Sequence, residues 1–249
     1  MVFKLEINDR ASESIKKGSK KIEIRANTGK YDYGKLRKND VIEFTSNKLG
    51  IFYVRVERVN YYNTLDELFT LEGTKYTTSS TNNKEKSIKN VNKINGYEEA
   101  IKKNGVYAIE VEYLYSENTV WEELYKKAKM VRNSRKVSGM IYAGQVSAAI
   151  LTKNHNIYTG VCIDTASSLG MCAERNAIAN MITNGENEII KLVCIDSKGN
   201  VIYPCGVCRE YLMQLDKNSK NIEILKELKN KETIKLETLI PSWWGKERV

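Results

Sequence analysis

Near-alternation of apolar and polar residues indicates five short strands in the first half of the chain. Each run mixes β-branched or aromatic residues with polar ones, as strands with one buried face do. The runs span residues 2–7, 21–25, 40–45, 50–59 and 105–114. Most of the connections between them are short, which predicts a mostly β domain in the form of a small barrel.

Two short helices and a loop complete the prediction for this half. Residues 8–17 and 64–71 have helical character, and Thr64 with Glu67 three positions later forms a capping-box pattern at the start of the second helix. Residues 74–92 are rich in Thr, Ser, Asn and Lys and have little to bury. We therefore expect a mobile loop there.

The second half begins with a helical stripe and continues as alternating strands and helices. Apolar residues recur at helical spacing within residues 117–137, at Trp121, Leu124, Ala128 and Val131. Further along, helices are predicted from about Ala173 and Gly206, and strands at 146–151, 157–163, 189–196, 222–225 and 233–239. This order predicts a three-layer α/β fold with a mixed five-stranded sheet. The predicted domains are 1–115 and 119–249.

Length and composition are those of a soluble globular protein of two modest domains. The chain has 249 residues, of which 41% are hydrophobic and 29% charged. It contains no apolar run approaching the ~18 residues of a membrane span, and its first residues lack the apolar stretch of a secretion signal. We therefore expect no membrane partner and a cytoplasmic location.

The formal charge of +9 does not by itself identify a polynucleotide-binding protein. The excess is shared between the halves, at +5 over residues 1–115 and +4 over residues 116–249. Lysine also outnumbers arginine, and scattered lysines are typical of a solvated surface. Charge therefore leaves nucleic-acid binding open without favouring it.

Three cysteines and a glutamate provide candidate chemistry. Cys172-Ala173-Glu174 is followed 33 positions later by Pro204-Cys205-Gly206-Val207-Cys208. A Cys-x-x-Cys pair can place two thiolates on one tetrahedral zinc, and Cys172 can supply a third, which leaves one position for water. Glu174 could then act as the proton carrier of the site. Three of the five cysteines are thus assigned, and the odd total fits a reducing compartment better than a disulfide framework.

Two other interpretations of these cysteines remain open. A closed structural zinc site would need a fourth ligand, for which Cys162, Cys194 and His155 are the remaining candidates. The Cys-x-x-Cys pair could instead be a redox pair.

Residues 119–244 resemble the cytidine deaminase family. The resemblance rests on Thr159-Gly160-Val161, on Met171 to Ile178 and on Pro204 to Glu210, with the two zinc motifs in the family's order and distance. It implies a deaminase fold, a Zn²⁺ cofactor held by Cys172, Cys205 and Cys208, and Glu174 as the catalytic proton carrier.

The same resemblance suggests further site residues. Arg175 is expected to donate hydrogen bonds to the thiolates and offset their charge, since three thiolates on Zn²⁺ leave a net charge of −1. Main-chain groups around Ala173 and Pro204 would position the ring. The family's sugar-binding Asn and Glu correspond to Cys162 and Asp164 here, which suggests an altered ligand such as a modified cytidine or a cytosine-bearing antibiotic. For Cys162, a small buried thiol is the alternative.

Two tryptophans near the C-terminus have two possible roles. Trp243 and Trp244 occupy the region from which tetramers of the family send an aromatic side chain to a neighbouring subunit. Packing against the chain's own core is the alternative. The resemblance implies a homo-oligomer, either a dimer or a tetramer.

The first half resembles the ASCH domain, a relative of PUA-type barrels that handle RNA or modified bases. The resemblance rests on Gly18 to Arg25, which follows the pattern Gly-x-Lys-x-x-Glu-x-Arg, and on Asn39 to Phe44. Some relatives hydrolyse acetylated cytidine with a lysine and a threonine, but Glu23 stands at the threonine position. The resemblance therefore suggests that Lys20, Glu23 and Arg25 line a cleft for a base or phosphate. A surface ion pair between Glu23 and Arg25 is the alternative.

Together these features predict a zinc-dependent hydrolytic deaminase of a free cytidine-like or modified cytosine nucleoside. The N-terminal barrel would select substrate or bind RNA. The alternative is a protein that binds or modifies RNA, with deaminase or structural zinc. The sequence leaves open which base is deaminated, whether the barrel has its own catalysis and whether RNA is bound.

Overall fold

Two compact units make up the chain, residues 1–118 and residues 119–249. The structure, a computed structural model, describes residues 3–248. Val2, the first residue of the first predicted strand, lies outside the described residues, as do Met1 and Val249.

The first unit contains five strands in one sheet. The strands are β1 (Phe3–Glu6), β2 (Ile22–Ala26), β3 (Val41–Ser46), β4 (Gly50–Tyr62) and β5 (Val106–Ser116). Their order in the sheet is β1-β3-β4-β5-β2, with β1 parallel to β3 and the other pairs antiparallel. At the two edges of this order, Arg25 on β2 donates a hydrogen bond to the carbonyl of Glu6 on β1 at 2.9 Å. All five strands predicted for this half are confirmed.

Four helices accompany this sheet. They are α1 (Asp9–Lys16), α2 (Leu65–Glu72), α3 (Lys84–Asn92) and α4 (Tyr97–Asn104). The predicted cap of α2 is present, since the Thr64 hydroxyl accepts from the Glu67 amide at 3.1 Å. The mobile loop predicted at 74–92 is wrong over α3. This helix is hydrophilic, and it begins where the Asn83 side chain accepts from the Lys86 amide and ends with Ile88 and Val91 packed on the core around Tyr97.

The second unit has a seven-stranded mixed sheet. Its strands are β6 (Arg135–Lys136), β7 (Ile141–Thr152), β8 (Ile157–Thr165), β9 (Ile189–Ile195), β10 (Val201–Ile202), β11 (Glu223–Glu227) and β12 (Glu232–Lys235). The main order is β12-β11-β9-β7-β6, with β8 paired to β7 and β10 to β9. The prediction of five strands is therefore too low. The two additional strands are two residues long, which is too short to show an alternating pattern.

Helices pack against both faces of this sheet. They are α5 (Val120–Val131), α6 (Ala173–Thr183), α7 (Gly206–Met213) and the short α8 (Leu236–Leu239). The Ser147 hydroxyl on β7 donates to the Ala128 carbonyl of α5, while the next residue, Ala148, belongs to the core formed with α6. Successive strand residues point to opposite faces. The last predicted strand, 233–239, is wrong beyond Lys235, where α8 begins.

Gly160 on β8 determines how closely α6 approaches the sheet. A Cβ atom at this position would lie 2.4 Å from both the Ala173 carbonyl oxygen and the Ala177 amide nitrogen. Only glycine allows this contact. Because Ala173 is the first residue of α6, the contact also positions Cys172 directly before it.

Candidate active site

Two helix N-termini bring the three predicted metal ligands together. Cys172 directly precedes α6 and Cys205 directly precedes α7, both with extended backbone, and Cys208 lies in the first turn of α7. The predicted position of the cysteines at two helix starts is confirmed. At such positions main-chain N–H groups face the sulfurs and stabilise negative charge.

The sulfur atoms lie at distances suited to one metal ion. Cys172 Sγ is 3.6 Å from Cys205 Sγ, and Cys205 Sγ is 3.5 Å from Cys208 Sγ. All three sulfurs lie within 4.8 Å of one another. Tetrahedral zinc with Zn–S bonds of about 2.3 Å separates its sulfurs by about 3.8 Å. The three cysteines therefore fit a zinc ion.

The remaining candidates for a fourth ligand lie outside this cluster. Among residues 3–248 the group of potential metal ligands consists of Cys172, Cys205 and Cys208. Cys194 is fully buried on β9, where burial and the nearby charge of Glu174 raise the pKa of its thiol well above the ordinary value. Within the described residues, the donor set is thus that of a three-sulfur site rather than of a closed four-ligand knot.

The electrostatics of the cluster favour a bound cation. Burial, together with the charge of Glu174, raises the pKa of Cys208 far above its ordinary value. Burial and the contact with Cys205 also raise the pKa of Cys172. The pKa of Cys205 is lowered, because hydrogen bonds from Cys208 outweigh its desolvation. Three clustered thiols beside a carboxylate become thiolates together only when a divalent cation compensates their charge.

Glu174 is buried beside the sulfurs in the first turn of α6. Its exposure is 4%, and it lines the same cavity as Cys172 and Cys205. The site therefore combines a metal-binding sulfur cluster with a sequestered carboxylate, the arrangement that hydrolytic proton transfer needs.

Arg175 contacts the sulfur cluster as the sequence predicts. Its Nη2 lies 4.0 Å from Cys172 Sγ and 3.4 Å from the Gly170 carbonyl oxygen. Desolvation lowers its pKa, but the contact with Cys172 outweighs it, so the pKa of Arg175 is raised. Its buried Nε has no hydrogen-bond partner among the described residues. Arg175 is thus held as a cation against the thiols.

A cavity of about 510 Å³ opens onto this cluster. Its walls come from β7, β8, the segment before α6 and the segment around β10. The lining residues are Gln145, Val146, Cys162, Ile163, Asp164, Thr165, Ser168, Gly170, Met171, Cys172, Ala173, Glu174, Arg175, Ile202, Tyr203 and Cys205. This volume suits a small organic molecule, since ligand pockets usually enclose ~300–1,000 Å³.

Three of the four predicted substrate contacts line this cavity. Cys162, Asp164 and Ala173 are among the lining residues. Pro204 is buried, and its carbonyl accepts a hydrogen bond from Arg209 Nε at 2.8 Å; its neighbours Tyr203 and Cys205 line the cavity instead. Sequence reasoning missed Gln145 and Tyr203. Tyr203 directly precedes the Pro204–Cys208 motif, so its position next to a predicted metal ligand was the available signal, whereas no motif surrounds Gln145.

The C-terminal tryptophans both bind Glu210 of α7. The indole N–H groups of Trp243 and Trp244 donate to its carboxylate at 2.8 and 3.0 Å. Trp243 is buried in the core formed by α6, α7 and the sheet, whereas Trp244 is mostly exposed. Packing against the chain's own core, one of the two predicted roles, is confirmed for Trp243.

In the first unit, Lys20, Glu23 and Arg25 form a buried ion network. Glu23 accepts from Lys20 Nζ at 3.3 Å and from Arg25 Nη2 at 2.9 Å. Lys20 is only 6% exposed and Glu23 only 8%. The alternative of a surface ion pair is therefore wrong, because these charges are desolvated and depend on each other.

Lys20 also clamps the segment that follows α2. Its ammonium group donates to the carbonyls of Ile22 and Thr77 at 2.5 and 2.6 Å, in addition to its contact with Glu23. These three partners match its three N–H donors. Desolvation lowers the pKa of Lys20, although the adjacent Glu23 opposes this. With its donors engaged, Lys20 is a structural link.

A cavity of about 210 Å³ borders this network. Lys20 and Glu23 line it, and most of the other walls carry hydroxyl or amide groups. The remaining lining residues are Asn8, Ala11, Ile24, Thr77, Thr78, Ser79, Ser80, Ser87, Asn90, Val91 and Ile94. Of the predicted cleft, Lys20 and Glu23 thus face the cavity, while Arg25 lies behind them with its guanidinium over the Phe44 ring.

Comparison with known families agrees with both halves of this description. Residues 121–222 match the cytidine and deoxycytidylate deaminase zinc-binding region, and residues 5–115 match the ASCH domain. A probable cytidine deaminase of Dictyostelium discoideum is 30% identical over 131 residues, which cover 51% of this chain and 86% of that protein. The chain belongs to the cytidine deaminase family. It carries an ASCH domain in its N-terminal half. Membership of the deaminase family makes it a zinc-dependent hydrolase.

The second unit is also similar to a solved structure and to a further curated protein. The crystal structure of cytidine deaminase from Mycobacterium tuberculosis is 25% identical with a TM-score of 0.43, and the match covers 51% of this chain and 98% of that one. Blasticidin-S deaminase of Bacillus cereus is 33% identical over 76 residues, which cover 27% of this chain and 54% of that protein.

Among residues 3–248, the helices of this cytidine deaminase family member are too short or too polar to span a bilayer.

Proposed function

We propose that this protein is a zinc-dependent deaminase of a free cytidine-like or modified cytosine nucleoside. The observation that carries the proposal is the buried carboxylate of Glu174 beside three sulfurs spaced for one zinc ion, at the wall of a nucleoside-sized cavity. Membership of the cytidine deaminase family supports it.

Cys172, Cys205 and Cys208 would hold the zinc ion. A zinc ion held there would supply Lewis-acid chemistry that lowers the pKa of water towards neutral. The chain's own contribution is to fix the sulfurs on two helix starts and to exclude bulk water from Glu174.

Glu174 would move the protons of the reaction. Its carboxylate takes a proton from the attacking water and delivers it to N3 of the cytosine-like ring. It then takes the proton of the new C4 hydroxyl and passes it to the amino group at C4, which leaves as ammonia as the C4 carbonyl forms.

Arg175 would keep the sulfur cluster reactive. Three thiolates on a divalent cation carry a net charge of −1, which opposes ionisation of water. The guanidinium, held against Cys172 Sγ and the Gly170 carbonyl, offsets that charge.

The charges around the cavity favour a free nucleoside over a polynucleotide. Among the lining residues, Arg175 is the one with a cationic side chain, and it faces the sulfur cluster. Asp164 and Glu174 are both acidic. A phosphate group would therefore meet no free positive charge there, whereas polynucleotide sites depend on such charges.

The ASCH domain would select substrate or bind RNA. Its hydroxyl-lined cavity beside Lys20 and Glu23 suits a polar ring such as a base. A gel-shift titration with short RNA at several salt concentrations tests the RNA alternative. Phosphate binding must weaken steeply with salt, whereas a domain that selects nucleosides would give no salt-dependent shift. We expect a homo-oligomer, which sedimentation would measure.

The decisive experiment uses zinc-loaded protein and measures both ammonia release and mass change. The panel comprises cytidine, deoxycytidine, cytosine, modified cytidines, a cytosine-bearing antibiotic and short RNA. The Glu174→Gln variant should retain zinc and lose nearly all turnover. Robust deamination by that variant, or no product from any substrate in the panel, would contradict the proposal.

A further inference from the structure

The second unit contains a further cavity of about 520 Å³, formed by residues near the C-terminus. One side of this C-terminal cavity is the end of α7 with the residues after it, and the other is α8 with the segment that follows. Its apolar wall consists of Met213, Ile240, Pro241 and Trp243. Among residues 3–248, it shares no lining residue with the cavity at the sulfur cluster, so the two are distinct sites.

Hydrogen bonds hold both sides of the C-terminal cavity in place. On one side, Arg209 Nη1 donates to the Leu239 carbonyl at 3.2 Å, and the indole N–H of Trp243 is anchored to α7. On the other side, the hydroxyl of the buried Ser219 accepts from the Asp216 amide at 3.1 Å. The cavity is therefore preformed, and a ligand need not order its walls on binding.

Three cationic side chains line the C-terminal cavity, those of Lys217, Lys220 and Lys246. Lys246 Nζ has a neutral partner, the Pro241 carbonyl, at 3.3 Å. Within the part of the chain that the structure describes, none of the three ammonium groups forms an ion pair with a carboxylate. Their positive charge is therefore available to an anion in the cavity.

Two carboxylates also line the C-terminal cavity, and each has a partner outside it. Asp216 accepts from the Asn218 amide at 2.7 Å, and Glu237 lies 4.0 Å from Lys235 Nζ. Because three lysines face two carboxylates, the lining has a net charge of +1 at neutral pH. The cavity thus combines an apolar wall with an excess of positive charge.

We propose that the C-terminal cavity binds an organic phosphate, a phosphate monoester attached to a flat apolar body such as a nucleobase or a phenyl ring. The lysines bind the phosphate group as point charges. The wall around Trp243 removes the apolar body from water, and the volume lies in the usual range of ~300–1,000 Å³ for small-molecule sites. This site lies outside the deaminase cavity, so the inference does not depend on the proposed function.

Isothermal titration calorimetry of the full-length protein tests the inference with uridine 5′-phosphate, phenyl phosphate, inorganic phosphate and uridine. Uridine 5′-phosphate has no amino group at C4, so no deamination accompanies its binding. Both organic phosphates should bind at least ~10-fold more tightly than inorganic phosphate, because only they cover the apolar wall. Raising the ionic strength should weaken their binding. Excess uridine, which has no phosphate, should not displace them.

Substitution of the lysines locates the site. Lys217→Met and Lys246→Met should each weaken the binding of uridine 5′-phosphate by roughly 3–10-fold, since each removes a hydrogen bond to a charged group. Lys229→Met is the matched control, because this exposed lysine of the same unit lies outside the cavity lining; it should bind as wild type does. The three substituted side chains are exposed, and thermal unfolding should show that each variant is folded.

Four results would each overturn the inference. They are no binding of either organic phosphate, equal affinity for inorganic phosphate and uridine 5′-phosphate, displacement of the organic phosphates by uridine, and unchanged affinity in both Lys217→Met and Lys246→Met. None of these measurements requires turnover, so their outcome is separate from the test of deamination.

Discussion

Arg58 of β4 holds Glu72 of α2 with both terminal nitrogens of its guanidinium. Nη1 lies 2.6 Å from Oε1 and Nη2 lies 2.7 Å from Oε2. The Tyr62 hydroxyl and the Asn60 amide donate to the same carboxylate. This network ties the last residue of α2 to the sheet of the first unit.

The network predicts acid sensitivity of the first unit. Hydrogen bonding by Arg58, opposed by desolvation, lowers the pKa of Glu72 to about 2, compared with ~4.3 in an unfolded chain. A lowered pKa gives stability that is present above pH ~4.3 and lost as the pH falls towards 2. Urea unfolding between pH 2 and 6 should show this slope, and Glu72→Gln should flatten it. Arg58 is 40% exposed, so solvent screens its ion pair with Glu72. Glu72→Gln should therefore lower the free energy of unfolding at pH 7 by only on the order of 1 kcal/mol. An unchanged slope in the variant would contradict this role.

Gly160→Ala tests the close approach of β8 to α6. The added methyl would collide with the Ala173 carbonyl and the Ala177 amide, which belong to the backbone and cannot easily move. We expect a loss of about 2–3 kcal/mol in the free energy of unfolding and reduced zinc content, because Cys172 would shift with α6.

Gly139→Ala is the matched control. This glycine lies in the same unit, and an added Cβ would meet nothing within 4 Å. Its effect should be within ~0.5 kcal/mol. Equal behaviour of the two variants in thermal unfolding and in metal analysis would refute the packing argument.

Lys20→Met should destabilise the first unit by about 3 kcal/mol in urea unfolding. The substitution leaves Glu23 buried with one cation fewer and releases the Thr77 carbonyl. The double variant Lys20→Met with Glu23→Gln should recover part of the loss, since the uncompensated charge is then removed. Lys48→Met, which breaks the exposed pair with Glu13, should leave the urea unfolding curve nearly unchanged. A similarly small cost for Lys20→Met would show that the buried network contributes little.

Arg175→Ala should lower zinc affinity or turnover by ~10–100-fold, the usual range for residues that support metal ligands. The Arg175→Lys variant keeps the charge but not the planar group, so it should lie between wild type and Ala. Competition with a chelator measures affinity and ammonia release measures turnover. If both values are unchanged in Arg175→Ala, the guanidinium does not support the sulfurs.

Elements with strong hydrophobic periodicity can be predicted from the sequence. Elements that are stabilised by capping and tertiary packing cannot. The stripe from Trp121 to Val131 has helical spacing and forms α5. In contrast, α3 is built from polar residues, and its side-chain cap and two packed apolar residues outweigh a composition typical of loops. Residues after Lys235 have strand-like composition but turn into α8.

The candidate site likewise contains residues that a local sequence pattern predicts and residues that only the tertiary structure brings in. The cluster of Cys172, Cys205 and Cys208 can be predicted because a Cys-x-x-Cys pair with one further cysteine is a pattern typical of zinc sites. Gln145 cannot, because no motif surrounds it and it reaches the cavity from β7, far along the chain from Cys172 and Cys205. The clamp between Lys20 and Thr77 likewise joins residues 57 positions apart, with no local pattern to reveal it.

The position of the sulfurs on two separate helices has a mechanical consequence. An ion bound between Cys172 and Cys205 would cross-link chain positions 33 residues apart, closing a loop that includes α6 and β9. Stripping the ion would reopen that loop, so the tether between the helices would be lost together with the chemistry. Limited proteolysis within this stretch should then report metal occupancy without any substrate.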